Sequence, residues 1–137
     1  MSPRPSLRDL FAAQAALLRA RRRLKREPIG NLTERRLRGL GPASGDEARA
    51  EQLARAVQLA ASWGLFRPFC LVRAVALEEL LLRDGITGGD IRIGVRRKEG
   101  VFAAHAWIRW RDRVLGDEPE HVATFTEVDD IRVLGGP

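Results

Sequence analysis

Phe69-Cys70-Leu71-Val72-Arg73-Ala74-Val75-Ala76-Leu77 runs on through Leu80-Leu81-Leu82 to Gly85, and its reading as a helix decides the fold. Pro68 suits a helix's first turn, where its missing N–H would have no partner anyway. The spacing therefore predicts a helix from near Pro68 to about Arg83, ended by Gly85. Apolar residues cover nearly every side of it, so this helix should be the buried one. It sets Cys70 in the first turn, where unpaired N–H groups and the helix dipole favour a thiolate, and where the same N–H groups suit an oxyanion. A lone cysteine is also a common small core residue. Partners elsewhere in the chain must decide between the two readings.

Downstream, Ile91 to Arg96 alternates as a strand, Lys98-Glu99-Gly100 turns, and Val101 to Trp110 makes a second strand. Ala103, His105, Trp107 and Arg109 share one face of it, while Phe102, Ala104, Ala106, Ile108 and Trp110 share the other. His105 thus lies in a strand covered on both sides, with small alanines beside it. Arg111-Asp112-Arg113 is read as the turn into a short strand, Val114 to Asp117. Register then selects the acid that meets His105. A three-residue turn brings Asp117 to that face, a two-residue turn brings Glu118, and Asp117 is preferred. One cysteine and two histidines at these spacings do not describe a closed metal site.

Upstream, Ser6 with Asp9 forms a capping-box start. Leu7, Leu10, Phe11, Ala15, Leu18 and Leu24 mark one apolar face of a helix that runs to about Arg26. Its basic end, Arg19, Arg21, Arg22, Arg23, Lys25 and Arg26, suits a helix C-terminus and offers a docking surface for a partner or an acidic peptide. Thr33 to about Gly39 is read as a short helix. Ser44 with Glu47 opens another substantial helix that reaches Trp63-Gly64.

The chain of 137 residues carries a net charge of +6, but residues 1–40 hold +8 and residues 41–137 hold −2. The basicity belongs to the N-terminal segment, which lacks interleaved aromatics and any nucleic-acid motif, so nucleic acid is not the expected partner. The expected organisation is a basic helix and connector over residues 1–45 and an α+β core over residues 46–137, within one compact unit. A single cysteine allows no internal disulfide, and no apolar run approaches a membrane span. A reducing, cytoplasmic setting is expected.

Taken in order, Cys70-Leu-Val-Arg-Ala-Val-Ala-Leu77, Ile91-Arg-Ile-Gly94-Val95, Phe102-Ala-Ala-His105-Ala-Trp107 and Gly116-Asp117 resemble the lasso-peptide leader peptidases. These are transglutaminase-like cysteine proteases typified by the C-terminal domain of the microcin-processing B protein. The resemblance spans about residues 50–120. It departs from the usual pattern at Ala74, where Ser is common, and at Arg109, where an acidic residue is common. It implies a papain/transglutaminase-like core in which a central buried helix carries the cysteine and a small antiparallel sheet carries the histidine and aspartate.

By that resemblance Cys70, His105 and Asp117 form the catalytic set, the Cys70 backbone N–H helps hold the oxyanion, and no metal or cofactor is needed. Gln58 and Trp63 are candidate second oxyanion donors. The implied activity is removal of a leader peptide from a lasso-peptide precursor. The implied partners are that leader, a separate leader-recognition protein and a lasso cyclase. Another transglutaminase-like acyl transferase and a non-catalytic adaptor are the alternatives.

Overall fold

In the computed structural model, residues 4–26, 42–63 and 69–128 are described. Helix α1 spans Leu7–Arg26, α2 spans Glu47–Trp63 and α3 spans Cys70–Arg83. The chain then forms β1 (Asp90–Lys98), β2 (Val101–Trp110) and β3 (Arg113–Leu115), a single-turn helix α4 (Pro119–Val122) and β4 (Thr126–Val128). All pairings are antiparallel, in the order β3-β2-β1-β4. The fold is α+β, with three helices layered on one face of a four-stranded sheet. The short helix read at Thr33 to Gly39 lies outside the described residues.

Helix α3 is buried along Val72, Ala74, Val75, Ala76, Leu77, Leu80 and Leu81, as its apolar circumference requires. It packs on the sheet face made by Ile91, Ile93, Ala106 and Ile108, which the β1–β2 register sets opposite one another in pairs. The pairs Gly94↔His105 and Arg92↔Trp107 fall on the reverse face.

The start of α1 behaves as a reciprocal cap. Ser6 N–H donates to Asp9 Oδ2 at 3.0 Å, and Asp9 N–H donates to Ser6 Oγ at 3.1 Å. The buried face of α1, however, differs from its leucine stripe. Ala13, Ala16, Leu17 and Ala20 are buried with Asp9, while Leu7 and Phe11 remain 73% and 76% exposed. Small side chains let helices approach closely, and that approach decides the rotation of α1 about its axis.

Arg49 reinforces this orientation. Its Nη2 and Nη1 donate to the two Asp9 oxygens at 2.8 and 3.0 Å, and its Nε donates to Asp84 Oδ2 at 2.6 Å, just past the end of α3. One guanidinium on α2 therefore ties the first turn of α1 to the last turn of α3. The cap of α2 also differs from the sequence reading. Asp46 Oδ1 accepts from Ala48 N–H at 3.0 Å, while Ser44 forms a β-bridge with Thr87.

The turn between β2 and β3 is a second correction. Trp110 pairs with Arg113, so the turn is Arg111-Asp112 alone, with left-handed φ values of 48° and 59°. That is the twist two-residue hairpins favour, although arginine is not their signature residue. The Arg111 guanidinium lies 4.5 Å over the Trp110 ring, an attraction that offsets part of the backbone cost.

The Arg49 guanidinium holds the Asp9 carboxyl below the usual carboxylate range. Its stabilisation is therefore complete above the ordinary value of 3.8 and is lost as pH falls through the lower folded value. Asp9→Asn is expected to cost about 2 kcal/mol at neutral pH, because it strips one partner from a desolvated charge-assisted pair. Urea unfolding followed from neutral pH down to about pH 3 should show native and variant chains converging in stability.

Candidate active site

The start of α3, the middle of β2 and the bend after β3 meet at one cleft. Cys70, Arg73, Ala74 and Leu77 line it from α3, and Val57 lines it from α2. Residues 105–108 of β2 and 115–117 beyond β3 complete the wall. Cys70 is the first residue of α3, and Phe69, in extended conformation, caps that end without a side-chain hydrogen bond. The Cys70 thiol is half-buried and free. Its own N–H is among the helix-end donors that have no intrahelical acceptor.

Asp117, rather than Glu118, meets the imidazole: Asp117 Oδ2 is hydrogen-bonded to His105 Nε2. This contact forms despite the two-residue turn. Ile108 pairs with Leu115, so continuing β3 straight on would bring position 118 opposite His105. The strand stops first. Gly116 takes a φ of +79°, open to glycine at little cost, and turns the chain so that Asp117 arrives one residue early. The bend also needs a small residue for another reason, since a Cβ at position 116 would sit 3.1 Å from Leu77 Cδ2. The second carboxylate oxygen, Oδ1, accepts from Glu118 N–H at 2.7 Å, which fixes the carboxylate plane.

The His105 and Asp117 side chains are only 14% and 17% exposed, so their bond lies in a weakly screened environment. With Nε2–H donated to the carboxylate, the neutral ring keeps its lone pair on Nδ1, free to accept a proton. Among the described residues no hydrogen bond joins Cys70 to His105, although both line the cleft.

The sequence reading left residues 119–128 unassigned, and these residues cover His105. Phe125 stacks on the imidazole with centroids 5.2 Å apart and planes 24° apart, and His121 meets it edge-on at 4.9 Å. Arg96 Cζ sits 4.5 Å from the Phe125 ring centroid, and Arg96 Nη1 donates to Thr124 Oγ1 at 2.7 Å. Pro119 at the start of α4, with aromatic rings four residues apart at His121 and Phe125, was the available signal for this cover.

Gly94 makes room for the cover. It pairs directly with His105, and a Cβ there would fall 2.7 Å from Trp107 Cη2 and 2.8 Å from Phe125 Cβ.

Of the candidate second oxyanion donors, Gln58 is half-buried on α2 and does not line the cleft, while the side chain of Trp63 lies outside the described residues. In the basic end of α1, Arg19 is engaged within the fold, its Nε 3.0 Å from Glu79 Oε1. Arg22, Lys25 and Arg26 are exposed and carry no ion pair among the described residues. Among those residues no group of three His, Cys, Asp or Glu side chains is placed to hold a metal ion, and no helix is long and apolar enough to cross a membrane.

A family model described as the transglutaminase-like superfamily matches residues 10–129. It runs from Leu10 in α1 through β4 and includes the aromatic cover over His105. No curated protein and no solved structure gives a significant match.

Gly94→Ala is expected to destabilise the chain by about 1–3 kcal/mol through overpacking, because the neighbours of the new methyl are a ring and a backbone-anchored Cβ. A lower melting temperature measured by circular dichroism, with loss of the Phe125–His105 ring-current shift in the imidazole NMR signals, would register both effects. An unchanged imidazole spectrum would show that the cover does not depend on this glycine.

Proposed function

The chain belongs to the transglutaminase-like superfamily, whose members are typically cysteine proteases or acyltransferases, and on that premise we propose that it is a cysteine endopeptidase that removes the leader from a lasso-peptide precursor. The observation that carries the reading is the buried His105–Asp117 hydrogen bond in the same cleft as Cys70. The choice of substrate rests on the order and spacing of the Cys70, Ala104-His105-Ala106-Trp107 and Gly116-Asp117 motifs, which resemble the leader peptidases of that pathway.

In the proposed reaction, His105 Nδ1 takes the Cys70 proton while Asp117 holds Nε2–H and balances the imidazolium charge. The thiolate sulfur attacks the carbonyl at the leader–core junction. The developing oxyanion is met by the Cys70 N–H at the open end of α3. His105 then protonates the core's departing nitrogen as the C–N bond breaks, which leaves the leader as a thioester on Cys70. Water, deprotonated by His105, releases the leader as a carboxylate and restores the thiol. The freed core amine is the group a partner cyclase would join to an acidic side chain. Closing Cys70 and His105 to hydrogen-bond distance is the step that substrate binding must accomplish.

The same reading assigns the basic end of α1 to docking of the leader or of a separate leader-recognition protein. Exposed arginine and lysine with no internal partner attract acidic surfaces at long range. We place the reaction in the cytoplasm, where a lone thiol stays reduced.

Incubation of the purified chain with precursor peptide and recognition protein, followed by mass spectrometry, tests the proposal. Cys70→Ala should abolish leader release. Asp117→Asn should slow it by roughly 10²- to 10⁴-fold through the wrong imidazole tautomer, and Glu118→Gln should leave it near the native rate. Full-rate cleavage by the Cys70→Ala chain would end the cysteine mechanism, and amine incorporation without cleavage would favour an acyl transferase. Reversing Arg22, Lys25 and Arg26 to Glu should weaken processing most at low ionic strength and little near 1 M salt, where charges are screened within about 3 Å. Equal processing at every salt concentration would remove α1 from docking.

A further inference from the structure

Arg73 stands one turn beyond Cys70 on the cleft side of α3. Residues three and four apart share a helix face, so Cys70, Arg73, Ala74 and Leu77 make up one wall. Helical side chains lean toward the N-terminus, and this carries the long arginine back toward Cys70. Arg73 is half-buried, and among the described residues its guanidinium has no hydrogen bond or ion pair. Elsewhere, arginines with comparable burial are engaged: Arg49 with Asp9 and Asp84, and Arg92 with Asp90 and Glu127.

The acid in the wall, Asp117, has both oxygens occupied, one by His105 and the other by Glu118 N–H. The charged side chain of the cleft wall left without a partner among the described residues is therefore a cation, Arg73, and its planar guanidinium fork matches a carboxylate.

We infer that Arg73 forms a carboxylate-binding subsite beside Cys70. Because the proposed cleavage is of an internal peptide bond, the carboxylate belongs to an Asp or Glu side chain next to the scissile bond, and Arg73 sets that preference. The substrate assignment rests on the peptidase reading. The subsite itself rests only on the cleft.

Alkylation of Cys70 separates the two. The thiolate displaces iodide from iodoacetate, an anion, and from iodoacetamide, its neutral counterpart. Both rates scale with the same thiolate fraction, so their ratio reports anion attraction at the sulfur alone. As the chain has one cysteine, intact-mass spectrometry reads both rates without ambiguity.

The iodoacetate-to-iodoacetamide ratio of the native chain should exceed that of N-acetylcysteine by roughly three- to tenfold and fall with added salt. Arg73→Gln should lower it several-fold toward the N-acetylcysteine value, the helix N-terminus and His105 accounting for what remains, and Arg73→Lys should keep most of the enhancement. Circular dichroism of each variant confirms that the compared chains are folded. A native ratio equal to that of N-acetylcysteine, or one that Arg73→Gln leaves unchanged, overturns the subsite. An enhanced, Arg73-dependent ratio in a chain that cleaves no precursor would retain the subsite and overturn the peptidase reading. With cleavage active, a Glu→Gln change beside the scissile bond should reduce kcat/KM several-fold in the native chain and little in Arg73→Gln. Equal losses in both chains would overturn the substrate assignment.

Discussion

The Arg49 guanidinium is the point at which the helical layer is held in one arrangement. A carboxylate on α1 and another at the end of α3 converge on it from two sides, and α2 supplies the arginine. Helices whose facing residues are mostly alanine have little shape to lock their rotation, since small side chains slide past one another with little penalty. A forked, directional contact supplies what the alanines lack. Its consequence reaches the cleft, because α3 carries Cys70 at the end opposite Asp84. Rotation or sliding of α3 would carry the thiol away from β2.

The sheet contributes the other half of the geometry through two places where a side chain is missing. At Gly94 the missing Cβ lets Trp107 and Phe125 close over the reverse face of β1, so that an aromatic cover reaches His105. At Gly116 the chain leaves the β3 ladder and delivers Asp117 to the imidazole. Both are departures from regular strand packing, and both sit beside His105. A regular strand would have presented Glu118, a longer and more exposed acid with more rotamer freedom to lose.

Long-period features were legible in the sequence, and features set by single close contacts were not. The β2 boundaries at Val101 and Trp110 followed from alternation, and α3 followed from its apolar run and Gly85. Residues Cys70, His105 and Asp117 all line one cleft. The rotation of α1 was misread because hydrophobicity ranks Leu and Phe above Ala, whereas close helix packing selects Ala13, Ala16 and Ala20 for their size. The cap at Asp46 was missed because Ser44 and Glu47 match the capping-box spacing, while Ser44 is engaged with Thr87 across the molecule. The β2–β3 turn was misjudged because Arg111 carries no left-handed signal; its stacking on Trp110 is a tertiary contact. Asp117 was reached with a wrong turn length because two deviations, a shorter turn and the bend at Gly116, cancel.

That cancellation bears on how the site tolerates change. The position of Asp117 depends on the Arg111-Asp112 turn and on Gly116 together: a register in which Trp110 paired with Val114 would set position 117 opposite Trp107, short of His105. The two sites are coupled through register and not through contact. The cleft end of α3 is coupled differently, by packing: Leu77 lies against Gly116 and also lines the cleft. The helix that carries Cys70 thus supports the bend that carries Asp117. A shift of α3 therefore acts on the sulfur and on the carboxylate together.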